Sequence, residues 1–228
     1  MFPILNDSAI IPMVRSPRKG KVKKRLAADI GEDAALELYK CFVMDILDSL
    51  EGIRADIIIG YHPEEDRDAV IEWLGGDLHL IPQAGVDLGE RQAHLLGQAF
   101  TRGYIKAAVM ITDAPDIPAG YIDEAFSLLE DNDVVVGPCH DGGYYLIGFR
   151  KDMFRPAFFS EADWSGPLVK DMMTKRLKEA GLECADLDPW WDIDNMEDLL
   201  KFRDRVANCG SNCLSLNYLD DVGVLDGR

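Results

Sequence analysis

The chain predicts an α/β fold, a mostly parallel central sheet covered by helices, and three observations carry that reading. Apolar runs alternate with segments of helical periodicity from end to end. One run, Ala107–Thr112, is apolar almost throughout, as a strand buried on both faces must be. At 228 residues, 47% of them hydrophobic, the chain can build a sizeable core. The expected organisation is one domain over 1–228, with its core at about 9–207 and a tail, 208–228, of no clear periodicity.

Taken in order, the first strand is expected near Ala9–Val14, followed by a basic loop, Arg15–Arg25. Asp29-Ile30-Gly31-Glu32 reads as an acidic capping box opening a helix in which Ala34, Leu38, Phe42, Ile46 and Leu50 share one face. A strand at Ala55–Gly60 precedes a helix at Glu64–Leu74, and a strand at Leu78–Ile81 precedes a helix at Leu88–Arg102. Beyond Ala107–Thr112 come a helix near Gly120–Leu129 and strands at Asp133–Val136 and Tyr144–Phe149. Asp141-Gly142-Gly143 makes the turn between those two strands. A helix near Leu168–Ala180, a short strand at Leu182–Leu187 and a helix near Met196–Val206 follow.

Charge excludes some functions and directs attention to one segment. A net charge of −17 argues against general nucleic-acid binding, because phosphate backbones demand positive surface. Residues 1–25 nevertheless hold seven Lys and Arg against one acid, Asp7, and so carry +6 while the remainder carries −23. Such a segment suggests a local anion site, with a solvated loop as the plain alternative. No stretch approaches the roughly 20 apolar residues of a membrane span, and the N-terminus lacks the pattern of a signal peptide. Five scattered cysteines point to free thiols in a reducing compartment, so the expected location is cytoplasmic.

Ligands of open α/β sheets sit beyond the carboxyl ends of the strands, so the loops there are the candidate sites. In the basic loop, Gly20 would let a phosphate approach the backbone, and Lys21, Lys23 and Arg25 would neutralise it. Asp113, at the end of the central strand, suits a hard divalent cation that bridges phosphates, whereas Asp116 suits a helix cap. Asp141, Gly142 and Gly143 fit either a tight turn or a contact with sugar-like hydroxyls. Asp192 and Asp194 project to one side of an extended segment and can face a metal, although Asp194 with Glu197 also makes a helix-capping pair. Asp87 and Glu90 fit a cap, and Arg91, unfavourable to the helix dipole in a first turn, points to a ligand or an ion pair. The Cys209–Cys213 segment has the wrong spacing for a common zinc knuckle and is read as no metal site.

Five blocks in order resemble one family. Ser16-Pro17 through Gly20-Lys21-Val22-Lys23-Lys24-Arg25-Leu26, Asp87-Leu88-Gly89-Glu90-Arg91, Thr112-Asp113-Ala114-Pro115, Asp141–Gly148 and Asp192–Leu199 are similar to the pattern of the bacterial DUF2064-type glycosyltransferase-like proteins. These belong to the GT-A or nucleotide-diphospho-sugar transferase superfamily, whose cousins include nucleotidyltransferases. The match spans about residues 9–200 and departs from the pattern at Lys24, Val86, Ile111 and Asn195. Ile111 stands where a glycine is usual, and its β-branched side chain would narrow the passage for a nucleoside.

The resemblance implies a GT-A-like three-layer α/β/α sandwich and a metal-dependent transferase using Mg2+ or Mn2+. Its substrates would be a nucleotide or nucleotide sugar and a small-molecule acceptor of unknown kind. Asp113 and Asp194 would be catalytic, with Asp113, Asp192 and Asp194 as metal ligands. Arg15, Gly20, Lys23, Arg25 and Arg91 would bind the nucleotide, and Asp141, Gly142 and Gly143 the sugar or acceptor. Glycosyl transfer from a nucleotide sugar is the leading expectation, and nucleotidyl transfer from a nucleoside triphosphate the alternative. A non-catalytic nucleotide-binding protein is a third reading.

Overall fold

The computed structural model describes residues 3–160, 163–164, 166–209 and 213–223. Seven strands form one sheet in the order β3-β2-β1-β4-β6-β5-β7. They are β1 Ser8–Arg15, β2 Asp56–His62, β3 His79–Pro82, β4 Lys106–Met110, β5 Val134–Pro138, β6 Tyr144–Arg150 and β7 Cys184–Asp186. All neighbouring pairs run parallel except those of β6, which lies antiparallel to both β4 and β5. The sheet is therefore mostly parallel, as the apolar runs predicted. The hairpin that reverses the chain at Asp141–Gly143 is what inserts one strand the other way.

The helices are α1 Lys24–Ile30, α2 Glu32–Ser49, α3 Arg67–Leu74, α4 Leu88–Arg102, α5 Ala119–Asp131, α6 Val169–Glu179, α7 Met196–Cys209 and α8 Leu214–Asp221. Residues of α4 and α6 pack with Ala9, Ile11, Val109, Val134 and Ile147 on one face of the sheet. Residues of α2, α3 and α5 pack with Ile10, Val14, Ile59, Ala108 and Val135 on the other. Outside α2, a further cluster joins Leu26, Leu38 and Phe42 to Ile193, Phe202 and Leu219 from the helices α7 and α8 and the segment before them. The result is a three-layer α/β/α sandwich.

Two cap assignments require correction. Gly31, not Asp29, precedes α2, and no side chain caps that helix. Asp116 does not cap α5, whose cap position is Pro118; its carboxylate instead takes Arg205 at 2.8 Å and the indole N–H of Trp190 at 3.3 Å. The Asp87–Glu90 cap of α4 is present, with Asp87 Oδ1 accepting from Glu90 N–H at 2.8 Å and Glu90 Oε2 from Val86 N–H at 2.9 Å. The tail supplies α8, and of the Cys209–Cys213 segment residues 210–212 lie outside the described residues.

Candidate functional site

Sheet direction brings the candidate loops together. The loops after β1, β2, β3 and β4 leave one edge of the sheet, and the turn into antiparallel β6 lies at the same edge. So does the segment leaving β7, because β7 is parallel to β5. Strand order reverses between β1 and β4, the switch point at which open α/β sheets hold ligands. A cleft of roughly 380 Å³ opens there, lined by Arg15, Lys21, Lys23, Lys24 and Arg25 on one side and Thr112, Asp113 and Asp194 on the other, with Tyr39 between. A larger cavity, roughly 590 Å³, lies at the β3 edge against Ile58, Leu80 and Tyr104 and contains none of these carboxylates.

Lys23 is the pivot of the cleft. Its backbone is left-handed, φ 42° and ψ 46°, a conformation an L side chain adopts only under constraint. The constraint is visible in the side chain, which is 5% exposed and reaches Asp113 Oδ1 at 2.5 Å and the Ile193 carbonyl at 2.6 Å. It also passes over the Phe42 ring, 5.4 Å from its centre. Arg25, two residues further on, pairs with Asp194 at 3.0 Å. Tyr39 fixes the start of the loop, donating to the Arg15 carbonyl at 3.1 Å and accepting from Arg15 N–H at 2.7 Å.

The carboxylates converge from three segments. Ile193 N–H donates to the Asp113 carbonyl at 2.9 Å, which sews the 192–194 segment to the end of β4. Ile193 is fully buried in the outer cluster, so its neighbours Asp192 and Asp194 turn to the other side of the extended segment. Asn195 Oδ1 accepts from Asp198 N–H at 3.1 Å, while Asp198 accepts from Asp194 N–H at 3.2 Å. Asn195 therefore caps α7 in place of the expected Asp194–Glu197 pair, and the Asp194 carboxylate is released to the cleft.

Crowding of like charge marks this corner. Burial, then Asp141 and Asp194, push the Asp192 carboxyl up to about 6. Burial also raises Asp194, against the favourable field of Lys23, with Asp113 adding to the rise. Cys139 Sγ, an Asp141 oxygen and an Asp192 oxygen lie within 4.8 Å of one another. Sequence reasoning passed over Cys139, whose only signal was its place one residue before His140-Asp141. Asp141 itself accepts from Gly143 N–H at 2.8 Å, and Gly142 takes φ 94° against the Pro167 carbonyl. The turn reading thus holds for Asp141-Gly142-Gly143, with the free side of Asp141 still facing Asp192.

Several expected residues do not line the cleft: Asp141, Gly142, Gly143 and Asp192 stand beside it, and Gly20 and Arg91 stand apart, as does Ile111. Gly20, φ 71°, spends its freedom on the loop turn and backs onto the Glu32 carboxylate, 3.0 Å from where a Cβ would be. Arg91 does not line the cleft; its Nε donates to the Gly85 carbonyl at 3.2 Å, and its field joins those of Arg15 and His62 beyond β1 and β2. Ile111 packs in the cluster beneath α5 and not among the residues lining the cleft.

Among solved structures, one from Desulfovibrio desulfuricans G20, provisionally named a nucleotide-diphospho-sugar transferase, is 35% identical, with 97% of each chain covered and a TM-score of 0.92. A CMP:2-keto-3-deoxy-manno-octonic acid synthetase complexed with CTP shares the fold at 13% identity, covering 88% of this chain and 98% of that one with a TM-score of 0.56. So does a nucleotidyl transferase from Methanothermobacter thermautotrophicus, at 17% identity, 89% and 98% coverage and a TM-score of 0.57. No curated protein matches the chain significantly. The profile of the family DUF2064, described as an uncharacterized protein conserved in bacteria, matches residues 47–166, and the chain belongs to that family.

Proposed function

We propose that the chain is a metal-dependent transferase that takes a nucleotide-activated donor, with a nucleotide sugar as the first candidate. The observation that carries the reading is the Lys23–Asp113 contact at the switch point, flanked by Arg25–Asp194 and open to a cleft lined by further cations. A diphosphate entering the cleft meets Arg15, Lys21, Lys24 and Arg25, and the carboxylates opposite fit a divalent cation. Hard oxygen donors at Asp113, Asp192 and Asp194 suit Mg2+ or Mn2+; Asp192, raised first by burial and then by Asp141 and Asp194, stands beside the lining of the cleft. When bound, the cation would supply Lewis-acid stabilisation of the departing phosphate. The protein's own part is to hold the phosphates with Lys23 and Arg25 and to present the acceptor at Asp141–Gly143.

A second reading, nucleotidyl transfer from a nucleoside triphosphate, is favoured by one specific observation. Five cationic residues line this single cleft, more than a diphosphate requires. Both readings treat the chain as one cytoplasmic unit; no helix among the described residues is long and apolar enough to cross a membrane. The test is a thermal-shift panel of nucleotide sugars and nucleoside triphosphates, with and without Mn2+, on the native chain and Asp113→Asn. A cation-dependent rise lost in the variant supports the proposal, and pyrophosphate release from a triphosphate selects the second reading. Indifference to every nucleotide, or to the cation and Asp113 together, refutes it.

A further inference from the structure

The ion pairs at the site leave part of its negative charge unpartnered. Lys23 engages Asp113 and Arg25 engages Asp194, but among the described residues neither Asp141 nor Asp192 forms an ion pair. Beside those two carboxylates the structure puts a thiol. Cys139 is 7% exposed, and its sulfur lies within 4.8 Å of both carboxylate groups. The arrangement is held by backbone. Cys139 N–H donates to the Gly143 carbonyl at 3.0 Å, His140 N–H to the Trp190 carbonyl at 3.1 Å, and Trp190 N–H to the Pro138 carbonyl at 2.9 Å. These bonds lay the 190–192 segment alongside Cys139, so the sulfur and the Asp192 carboxylate meet as a consequence of strand pairing.

We infer that Cys139 and Asp141 form, with Asp192, a site for a second, thiophilic divalent cation of the Zn2+ or Co2+ class beside the Asp113–Asp194 pair, sharing Asp192 with it; this deepens the metal-dependent reading, on which it rests. The buried Cys139 sulfur faces both carboxylates, so a cation seated between them meets one sulfur and two oxygen donors. On binding, the cation takes the sulfur lone pair, and the thiol proton leaves to solvent. One Asp141 oxygen is held by Gly143 N–H, which fixes the carboxylate and leaves the other oxygen to ligate. The donor atoms lie within 4.8 Å of one another, near enough for side-chain rotation to bring them around one cation. Sulfur selects against Mg2+, which demands oxygen ligands.

The experiment is a titration of the purified full-length chain, treated with a chelator, with Co2+, followed by calorimetry and by the near-ultraviolet thiolate-to-cobalt band. One equivalent should bind with that band, and Zn2+ but not Mg2+ should displace it. Cys139→Ser should abolish the band and weaken Co2+ binding at least about tenfold. Asp141→Asn, which keeps the acceptor for Gly143 N–H, should weaken binding comparably while the band survives. Cobalt bound without the band, with equal affinity in the native chain and Cys139→Ser, overturns this assignment but leaves the Asp113-dependent reading standing. No binding of Co2+, Zn2+, Mn2+ or Mg2+ overturns both.

Discussion

Lys23 Nζ lies 2.5 Å from Asp113 Oδ1, joining the loop after β1 to the end of β4 across the switch point. The lysine side chain is 5% exposed and the aspartate 41%, so the cation is desolvated while the carboxylate keeps one side in water. A buried cation held this way is a preorganised partner for a phosphate. Lys23→Met should weaken nucleotide binding whether or not a divalent cation is present, by about 1.5–3 kcal/mol, the worth of a hydrogen bond to a charged group. Asp113→Asn should instead remove only the cation-dependent part. Calorimetric titration of both variants with and without Mn2+ separates the two; identical losses in the two variants would contradict the division of roles.

Much of this was legible because the sequence signals were local. The Asp87–Glu90 cap, the apolar stripe of α2 and the apolar run of β4 each depend on neighbours within a few residues. Misreadings came where a polar group found a partner far along the chain. Asp116 looked like a cap but is taken by Arg205 of α7, and Asp194, also a cap candidate, has its carboxylate paired with Arg25 of α1. Cys139 carried no motif at all, because only the pairing of β5 with β6 and the 190–192 segment gives it company. Ile111 looked obstructive on paper, but it follows the end of β4 and packs beside Met110 in the α5 layer, a position that strand alternation would not assign to it.

Gly142 is required by the turn itself. At φ 94° it occupies a region costly to other residues, and a Cβ there would stand 1.7 Å from the Pro167 carbonyl oxygen. Gly142→Ala should cost at least about 2 kcal/mol and lower the melting temperature by roughly 4–8 °C. Gly143→Ala is the control, since its Cβ would meet only the Asp141 side chain, at 3.2 Å. Equal melting temperatures for the two variants would contradict this account.

His62 and Arg15 are register partners at the ends of β2 and β1, and Arg91 adds its charge from α4. Burial, then Arg91 and Arg15, hold the imidazole below its ordinary value, with Glu65 opposing. The folded state then binds fewer protons than the unfolded chain just below about pH 6.5, so stability rises with pH through that window and is lost as pH falls. Arg91→Gln should raise the His62 titration midpoint in an NMR titration and flatten the acid limb of stability against pH. An unmoved midpoint would show that Arg91 does not act on His62.

The tail helix α8 was invisible in the sequence because its cap comes from α2. Asp45 accepts from Leu214 N–H at 2.7 Å and Ser215 N–H at 2.9 Å, and also from the Ser215 hydroxyl, satisfying donors that a helix start leaves open. Asp45→Ala should cost about 1–2 kcal/mol, as loss of a side-chain cap does. The loss should appear in hydrogen exchange as faster amides in α8, with β1 and β4 unchanged in rank. Burial holds the Asp45 carboxyl above its ordinary value despite these donors. Its folded form therefore binds more protons than the unfolded chain at mildly acid pH, and that contribution to stability falls as pH rises through the folded value. Asp45→Asn keeps an acceptor and has no proton to lose, so it should retain α8 protection and lose that pH slope. An α8 that exchanges at the native rate in Asp45→Ala would show that packing of Leu219 in the outer cluster, not the Asp45 cap, holds the helix in place.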